Sequence, residues 1–282
     1  MIKEIGFMQG RLSPLVEGKI QAFPWPYWRE EFPLAEKHGF RLMEWTLDQE
    51  RLSENPLMTR EGRQEILRLI KQHGVAVKTL TGDCFMQAPF YKAQGRVRQQ
   101  LLADLQQVVK CSAALGIKSV LLPLVDNGRV ENPRQEEGLA KELSGMVSLL
   151  KDAGVQLLFE SDYPPDRLAS FLGLFEARYF GLTYDIGNSA ALGYQPEEEI
   201  AAYGARILNV HVKDRVLGGG TVPLGEGDAD IPGALKALSS AGYRGPYILQ
   251  TARAQDGDHS AALCRYRDLV LNWLNQVDRH ES

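Results

Sequence analysis

Polar side chains that could bind a metal ion end four consecutive predicted strands. They are two carboxylates, one imidazole and one amide: Glu160, Asp185, His211 and Gln250. Nitrogen and oxygen donors of this kind suit a divalent ion such as Mn²⁺, Mg²⁺, Co²⁺ or Zn²⁺. Each carboxylate taken alone could instead cap the helix after its strand, but four such residues at adjacent strand ends favour a ligand set. We therefore expect one divalent metal ion per chain.

The surroundings of His211 in the sequence are the ones that best suit a ligand. This histidine lies inside an apolar strand pattern, NVHVKD at 209–214. His38 and His73 instead each precede a glycine at a predicted helix end, where an imidazolium is stabilised by the helix dipole and needs no further role. A buried histidine bonded to a backbone carbonyl is the alternative for His211. We predict that it is a metal ligand.

Eight short apolar runs along the chain predict the strands that position these side chains. Most contain consecutive apolar residues, as at 120–122 and 157–159, instead of strict alternation. This pattern is typical of parallel strands that are covered on both faces. The predicted strands are Ile2–Met8, Arg41–Leu47, Val75–Leu80, Lys118–Leu124, Gln156–Glu160, Tyr179–Asp185, Ile207–Lys213 and Tyr247–Thr251.

Helical patterns alternate with these runs, most clearly at Arg96–Leu115 and Glu136–Ala153, where apolar residues form one stripe. The alternation predicts an α/β protein, a (β/α)8 TIM barrel, with residues 1–282 forming a single domain. A doubly wound sheet is the alternative, but the residues after the first strand, QGRL at 9–12, are no dinucleotide fingerprint. Glycines that can adopt a left-handed conformation are predicted to end five helices: Gly39, Gly74, Gly116, Gly154 and Gly242.

The composition excludes several classes of protein. Of the 282 residues 44% are hydrophobic and 24% are charged, which argues against disorder. No apolar run approaches the ~20 residues of a membrane span, and Glu4 and Arg11 interrupt any signal-peptide core. A net charge of −4 makes nucleic acid a poor partner. Three widely spaced cysteines indicate a reducing compartment, so we expect a cytoplasmic location.

Charged residues at further strand ends are candidates for binding the substrate. Glu44 lies at the end of the second predicted strand and Lys78 in the third. Arg215 and Arg253 lie on either side of a glycine run at 218–220, and backbone amides in this part of a barrel often bind phosphate. The alternative for the glycine run is a mobile lid. Four aromatic residues are candidates for an apolar wall against the sugar: Trp25, Tyr27, Trp28 and Trp45. The alternative is that they belong to the ordinary core.

Four motifs occur in a characteristic order along the second half of the chain. They are Phe159-Glu160, Tyr184-Asp185-Ile186-Gly187-Asn188, His211-Val212-Lys213-Asp214 and Gly225-Glu226-Gly227-Asp228-Ala229-Asp230-Ile231. With these motifs the chain resembles the xylose-isomerase-like TIM barrels, which include sugar-phosphate isomerases, ketose 3-epimerases, hydroxypyruvate isomerase, inosose dehydratase and endonuclease IV. The resemblance covers nearly the whole chain. It implies metal ligation by Glu160, Asp185, His211 and Gln250, and it places Asn188 where many members carry a substrate-binding histidine.

Gln250 departs from the pattern of the epimerases, where a glutamate at this position binds metal and also transfers a proton. An amide can ligate through its oxygen but does not exchange a proton near neutral pH. Epimerisation with two bases would then need Lys78, Asp83 or Lys213 as the second group. Isomerisation through an enediolate needs one base, for which the resemblance implies Glu160, with Lys213 or Lys78 stabilising the enediolate oxygen.

The expected function is therefore a metal-dependent isomerase or epimerase of sugars or sugar phosphates. An inosose-type dehydratase and a catalytically silent sugar-binding barrel are the alternatives, the latter favoured by Gln250. The endonuclease branch draws on many histidines for its metal site, whereas this chain has one at a strand end, His211. The expected partner is a small sugar or sugar phosphate, without nucleic acid or membrane, and a homo-oligomer is compatible with the sequence.

Overall fold

A closed barrel of eight parallel strands forms the centre of the molecule, as seen in a computed structural model that describes residues 4–280. All eight predicted strands are confirmed, except that residues 2–3 of the first lie outside the described part of the chain. The barrel strands are β1 Ile5–Met8, β2 Leu42–Thr46, β3 Ala76–Thr81, β4 Ser119–Leu124, β5 Gln156–Ser161, β6 Phe180–Asp185, β7 Ile207–Val212 and β10 Tyr247–Leu249. Between β7 and β10, an antiparallel hairpin is formed by β8 Asp214–Arg215 and β9 Thr221–Val222.

The strand order around the barrel is β1-β10-β7-β6-β5-β4-β3-β2, and β2 pairs with β1 to close it. At the point where the two ends of the chain meet, Phe7 of β1 pairs with Leu249 of β10. Asp185 at the end of β6 pairs with His211 in β7. The four strands that carry the predicted metal ligands are therefore consecutive neighbours, β5, β6, β7 and β10.

Helices follow the strands and cover the outside of the barrel. They are α1 Glu31–Lys37, α2 Arg60–His73, α3 Asp83–Gln87, α4 Gly95–Leu115, α5 Pro133–Ser144, α6 Val147–Ala153, α7 Pro165–Leu172, α8 Ile186–Leu192, α9 Pro196–Tyr203, α10 Ile231–Ser240 and α11 His259–His280. Short 3₁₀ turns lie at Leu52–Glu54, Asp126–Gly128 and Gly204–Arg206. None of the helices within residues 4–280 has the length and apolar character that crossing a membrane would need.

Two predictions about helices had different outcomes. The helix predicted at Arg96–Leu115 is confirmed as part of α4, but the one predicted at Glu136–Ala153 is wrong as a single element. It is divided into α5 and α6 where the Met146 amide bonds to the carbonyl of Leu143, a tighter i→i−3 turn. The glycine stop signals are confirmed, because a positive φ is present at Gly39, Gly74, Gly116, Gly154 and Gly242.

Aromatic packing between the barrel and α7 fixes the end of β5. Phe159 is fully buried, and its ring lies 5.1 Å from that of Phe171 and 4.9 Å from that of Phe175. Because successive side chains of a strand point to opposite faces, Phe159 facing the helices directs its neighbour Glu160 toward the barrel interior. The predicted aromatic wall is corrected in part, since Trp28 and Trp45 pack against each other in the core.

Candidate metal centre and active-site cavity

A cavity of about 510 Å³ opens at the carboxyl ends of the barrel strands. Its volume lies within the range of small-molecule sites, and its position is the one at which TIM-barrel enzymes carry their active sites. Its lining is rich in charge, because the cavity exposes several ionisable side chains that come from different strand ends. They include Arg11, Asp83, Glu160, Lys213 and Arg215, with the amides of Asn188 and Gln250 between them.

Three of the predicted metal ligands converge at the base of this cavity. Glu160, Asp185 and His211 each offer one ligand atom, and these atoms all lie within 4.8 Å of one another. All three residues are buried, and Nδ1 of His211 lies 3.9 Å from Oδ2 of Asp185. The strand order explains the convergence, because β5, β6 and β7 are neighbours and each contributes the residue at or near its carboxyl end.

Unpartnered atoms around this cluster indicate what would occupy it. Nε2 of His211 lies 2.7 Å from Oε1 of Glu44, whereas Nδ1 has no hydrogen-bond partner among the described residues. Oε1 of Gln250 is buried and equally unpartnered, while Nε2 lies 3.4 Å from Sδ of Met8. Buried polar atoms are almost always bonded, so an imidazole nitrogen and an amide oxygen beside two carboxylates fit a divalent cation.

Glu44 does not line the cavity, so its prediction as a substrate-binding residue is wrong. The strand β2 continues to Thr46, and Glu44 is therefore fully buried inside the barrel. Its carboxylate accepts hydrogen bonds from Oγ1 of Thr81 at 2.5 Å and Nδ2 of Asn209 at 2.8 Å, besides its contact with His211. Residues placed in this way fix the orientation and tautomer of a ligating histidine.

The charges of Glu44 and His211 stabilise each other. Burial alone would raise the pKa of Glu44, but the charge and hydrogen bond of His211, together with hydrogen bonds from Thr81 and Thr79, lower it below its ordinary value. Burial lowers the pKa of His211, but the negative charge of Glu44, followed by those of Glu160 and Asp185, raises it above its ordinary value. The contact keeps the Nε2 proton on the Glu44 side and leaves Nδ1 facing the cluster.

A hydrogen-bonded group of side chains holds Glu160 from the cavity side. Nδ2 of Asn188 donates to Oε1 of Glu160 at 2.5 Å, while Oδ1 of Asn188 accepts from Nζ of Lys213 and from Nη1 of Arg215. Lys213 also lies 2.9 Å from Oδ2 of Asp185. Asp185 caps α8 as well, because its Oδ1 accepts from the backbone amide of Asn188. The capping and ligand interpretations of Asp185 are thus compatible.

Two buried carboxyl groups in the cavity have raised pKa values. Burial, followed by the nearby charge of Asp185, raises the pKa of Glu160 to about 7, although His211 and Lys213 oppose the effect. Burial, followed by the charge of Asp48, raises the pKa of Asp83 to about 8. A carboxyl group whose pKa lies near neutral pH is well suited to transfer protons.

The prediction that Lys78 binds the substrate is also wrong. Lys78 is the extra residue of a β-bulge, since Met43 pairs with Val77 and Glu44 with Thr79. Its side chain consequently points outward, is 50% exposed and binds Glu4 at 2.7 Å. Lys78 is therefore excluded as the partner of an enediolate oxygen.

Arg253 and the glycine run also differ from expectation. The Arg253 guanidinium donates to the carbonyls of Gly10 and Ser13 and does not line the cavity. The Gly218 amide donates to the carbonyl of Ala191 in α8, and the Gly219 amide donates to that of Val216 in the β8–β9 hairpin, both at 2.8 Å. Since these amides are used inside the protein, they do not form the predicted phosphate cradle.

Arg11 lines the cavity but was not among the residues selected from the sequence. It is 4% exposed, and its Nε and Nη1 donate to the carbonyls of Thr251 and Ile20 at 3.0 and 2.8 Å. The available signal was its place three residues after the end of β1, where a strand end of a barrel opens into the site.

Comparison with known proteins supports the same architecture. L-ribulose-5-phosphate 3-epimerase UlaE of Escherichia coli O1:K1 / APEC is 29% identical over 252 residues, which are 86% of this chain and 88% of that protein. A solved structure of L-ribulose 3-epimerase has a TM-score of 0.75 at 16% identity and covers 99% of this chain and 97% of its own. The structure of the IOLI protein with a binding zinc atom has a TM-score of 0.76 at 16% identity. It covers 97% of this chain and 99% of its own.

The match to a family model extends over most of the chain. The model described as xylose isomerase-like TIM barrel matches residues 32–269, from the start of α1 into α11. This range contains β2 to β10 and all four predicted metal ligands. The protein is therefore a member of the xylose isomerase-like TIM barrel family.

Proposed function

We propose that the protein is a metal-dependent enzyme that moves a proton next to the carbonyl of a sugar or sugar phosphate, through an enediolate. The observation that carries this proposal is the unpartnered Nδ1 of His211 beside Glu160 and Asp185 at the base of the cavity. The relatives of 29% identity are sugar-phosphate epimerases. Like them, the protein is an isomerase or epimerase of sugars or sugar phosphates.

Four residues would hold the metal ion: Glu160, Asp185, His211 and Gln250. Their donor set of two carboxylates, one imidazole and one amide oxygen suits Mn²⁺, Mg²⁺, Co²⁺ or Zn²⁺. When bound, such an ion polarises the substrate carbonyl and stabilises the negative charge of the enediolate.

Glu160 is the proton-transferring base in this proposal. Burial raises its pKa toward neutrality, and the amide of Asn188 orients its carboxylate. Lys213 lies at the same edge of the cavity, where its ammonium group offsets charge on the enediolate oxygen. Gln250 cannot donate or accept a proton, so the chemistry that these residues support is the transfer of one proton by one base.

Metal binding is tested by melting the chelated protein with and without added Mn²⁺, Co²⁺ or Zn²⁺. Stability should rise by about 2.7 kcal/mol when the ion is at a hundred-fold excess over Kd. The variant His211→Ala should lose most of this shift. His73→Ala is the matched control, since His73 also contacts a carboxylate, Glu36, at 2.7 Å but lies outside the cluster. A melting temperature that no metal changes would contradict the site.

Proton transfer is tested by NMR in D₂O on a panel of ketoses and ketose phosphates with the metal-loaded protein. The wild type should exchange a C–H proton next to the carbonyl, and Glu160→Gln should lose on the order of 10² or more in rate. Full exchange by Glu160→Gln would exclude Glu160 as the base. Loss of water from the substrate would identify a dehydratase instead, and binding without exchange would identify a silent barrel.

A further inference from the structure

Two arginines reach the cavity from either side of Gln250. Arg11 follows β1, Gln250 follows β10 and Arg215 lies in β8, directly after β7. Since β1, β10 and β7 are consecutive in the barrel, the three residues occupy one continuous part of its rim. All three line the same cavity of about 510 Å³.

Neither arginine has a carboxylate partner within 4.0 Å among the described residues. The Arg11 guanidinium donates to two backbone carbonyls, and that of Arg215 donates to the carbonyl of Gly219 and the amide oxygen of Asn188. By contrast, the other cavity cations are ion-paired, Lys213 with Asp185 and Arg129 with Asp162.

Carbonyl oxygens satisfy the hydrogen-bonding groups of a guanidinium but leave its net charge in place. Arg11 is 4% exposed, so its charge is also largely removed from water. The carboxyl groups of Asp83 and Glu31 offset part of this charge without forming an ion pair with Arg11, and an anion that enters the cavity would offset more of it. The bonds to Gly219 and Asn188 hold Arg215 in place toward the same cavity.

Gln250 has a consequence for this part of the rim. A carboxylate here would place a third negative charge beside Glu160 and Asp185, where it would repel an anion. The neutral amide leaves two positive guanidinium groups with no negative side chain on the strand between them. A glutamine at position 250, where the related epimerases have a glutamate, thus favours the binding of an anionic ligand.

We propose that Arg11 and Arg215 form an anion subsite that holds the phosphate group of a phosphorylated ketose. A phosphate monoester fits better than a carboxylate, because it carries up to two negative charges and three oxygens for two guanidinium groups. The cavity volume is sufficient for the sugar and its phosphate together. This inference rests on the proposed function, of which it specifies the substrate class.

The test compares ribulose 5-phosphate with ribulose as substrates of the metal-loaded protein. The wild type should prefer the phosphorylated ketose in kcat/KM, and Arg11→Gln and Arg215→Gln should each reduce that preference about 10- to 100-fold, as expected for a lost charge-assisted hydrogen bond. Arg129→Gln is the matched control, because it removes a cavity arginine whose charge Asp162 already offsets. The preference of this control variant for the phosphorylated ketose should equal that of the wild type.

The outcomes separate this inference from the proposed function. Equal turnover of both ketoses by the wild type, or preference for a ketose carboxylate, would overturn the phosphate subsite and leave the isomerase proposal intact. If no ketose reacts, melting with inorganic phosphate decides: stabilisation that is lost in Arg11→Gln supports the subsite, and its absence in the wild type refutes it. Should Arg11→Gln fail to fold, Arg215→Gln provides the same comparison.

Discussion

At the scale of single residues, Glu44 determines which nitrogen of His211 faces the ligand cluster. The carboxylate lies 2.7 Å from Nε2 and is itself held by Thr81 and Asn209. All of these groups are buried, so the imidazole has no alternative partner in water. An ion at this site would depend on Glu44 without touching it.

The variant Glu44→Gln should weaken metal binding about 10- to 100-fold, because partners of this kind have that effect on metal affinity. The reason is that an amide neither stabilises the imidazole orientation to the same extent nor carries the charge that holds its proton. Titration with Co²⁺ measures the affinity. Glu31→Gln is the control, since it replaces another buried carboxylate away from the cluster. Equal affinities of the two variants would show that Glu44 has no positioning role.

Gln250 limits the stereochemical outcome of proton transfer. Glu160 occupies one base position of the related epimerases, and the amide at Gln250 cannot act from the other. We expect Gln250→Glu to remain folded, to bind metal and to gain inversion at C3 of ketoses, since it supplies a second titratable carboxyl group. Measuring exchange and inversion separately in D₂O distinguishes one base from two. Inversion by the wild type at a rate that Gln250→Glu leaves unchanged would contradict the single-base proposal.

Individual site residues were predictable where the side chain follows a strand, and less so where local backbone geometry intervenes. Glu160, Asp185 and His211 are placed by neighbouring strand ends, which the apolar runs reveal. The bulge that turns Lys78 outward depends on pairing with another strand, and no pattern in the sequence specifies it. The burial of Glu44 likewise depends on how far β2 extends beyond it.

At the scale of elements, the turn from β6 into α8 lies unusually close to the end of β7. A Cβ atom at Gly187 would lie 2.9 Å from Cγ and 3.0 Å from the backbone carbonyl carbon and oxygen of Lys213. A glycine is therefore required for this approach, which places Asn188 beside Lys213. The site depends on the packing of these two elements as well as on its side chains.

The variant Gly187→Ala should lose about 1–3 kcal/mol of stability, because the added methyl group must displace the backbone of Lys213. We also expect weaker metal binding, since Lys213 contacts Asp185. Gly138→Ala is the control: a Cβ there meets only the Arg98 side chain at 3.5 Å, and alanine in the middle of α5 should stabilise by up to about 1 kcal/mol. Urea unfolding of both variants tests the comparison, and equal stabilities would refute the close contact.

Element positions were predicted well by apolar runs and glycines, and less well where a helix changes direction. The eight strands are in place because each run is long enough to cross the barrel and is bounded by polar residues. The division between α5 and α6 was missed because the apolar stripe continues across Gly145 and Met146. Amphipathic periodicity reports which face is buried, but it does not report whether the axis is continuous.

At the scale of the whole molecule, the stability should depend on pH through Glu31. This carboxylate accepts backbone hydrogen bonds from Gly10 and Leu12 and is fully buried. Burial raises its pKa to about 7 from an ordinary 4.5, although these bonds, Ser13 and Arg253 oppose the effect. Between those values the folded chain keeps a proton that the unfolded chain has released, so stability falls as pH rises.

We expect the loss of stability caused by ionisation of Glu31 to reach about 3 kcal/mol as pH rises. This loss should be absent from Glu31→Gln. Urea unfolding with chelator present, at about pH 5 and about pH 8, measures it. The stability of the variant relative to the wild type should rise between the two conditions. A relative stability that is independent of pH would show that Glu31 is ionised throughout the folded state.

The closure of the barrel by its first and last strands also has a consequence for biosynthesis. The bond from Arg11 to the carbonyl of Thr251 spans 240 residues, and Ile5 pairs with Tyr247. While the chain emerges from the ribosome, one edge of β1 therefore remains open until nearly the whole sequence has been translated. Such an edge favours association with other nascent chains. We expect chaperones to bind this intermediate, and Arg11 and Gln250 to come together only when the last strand is inserted.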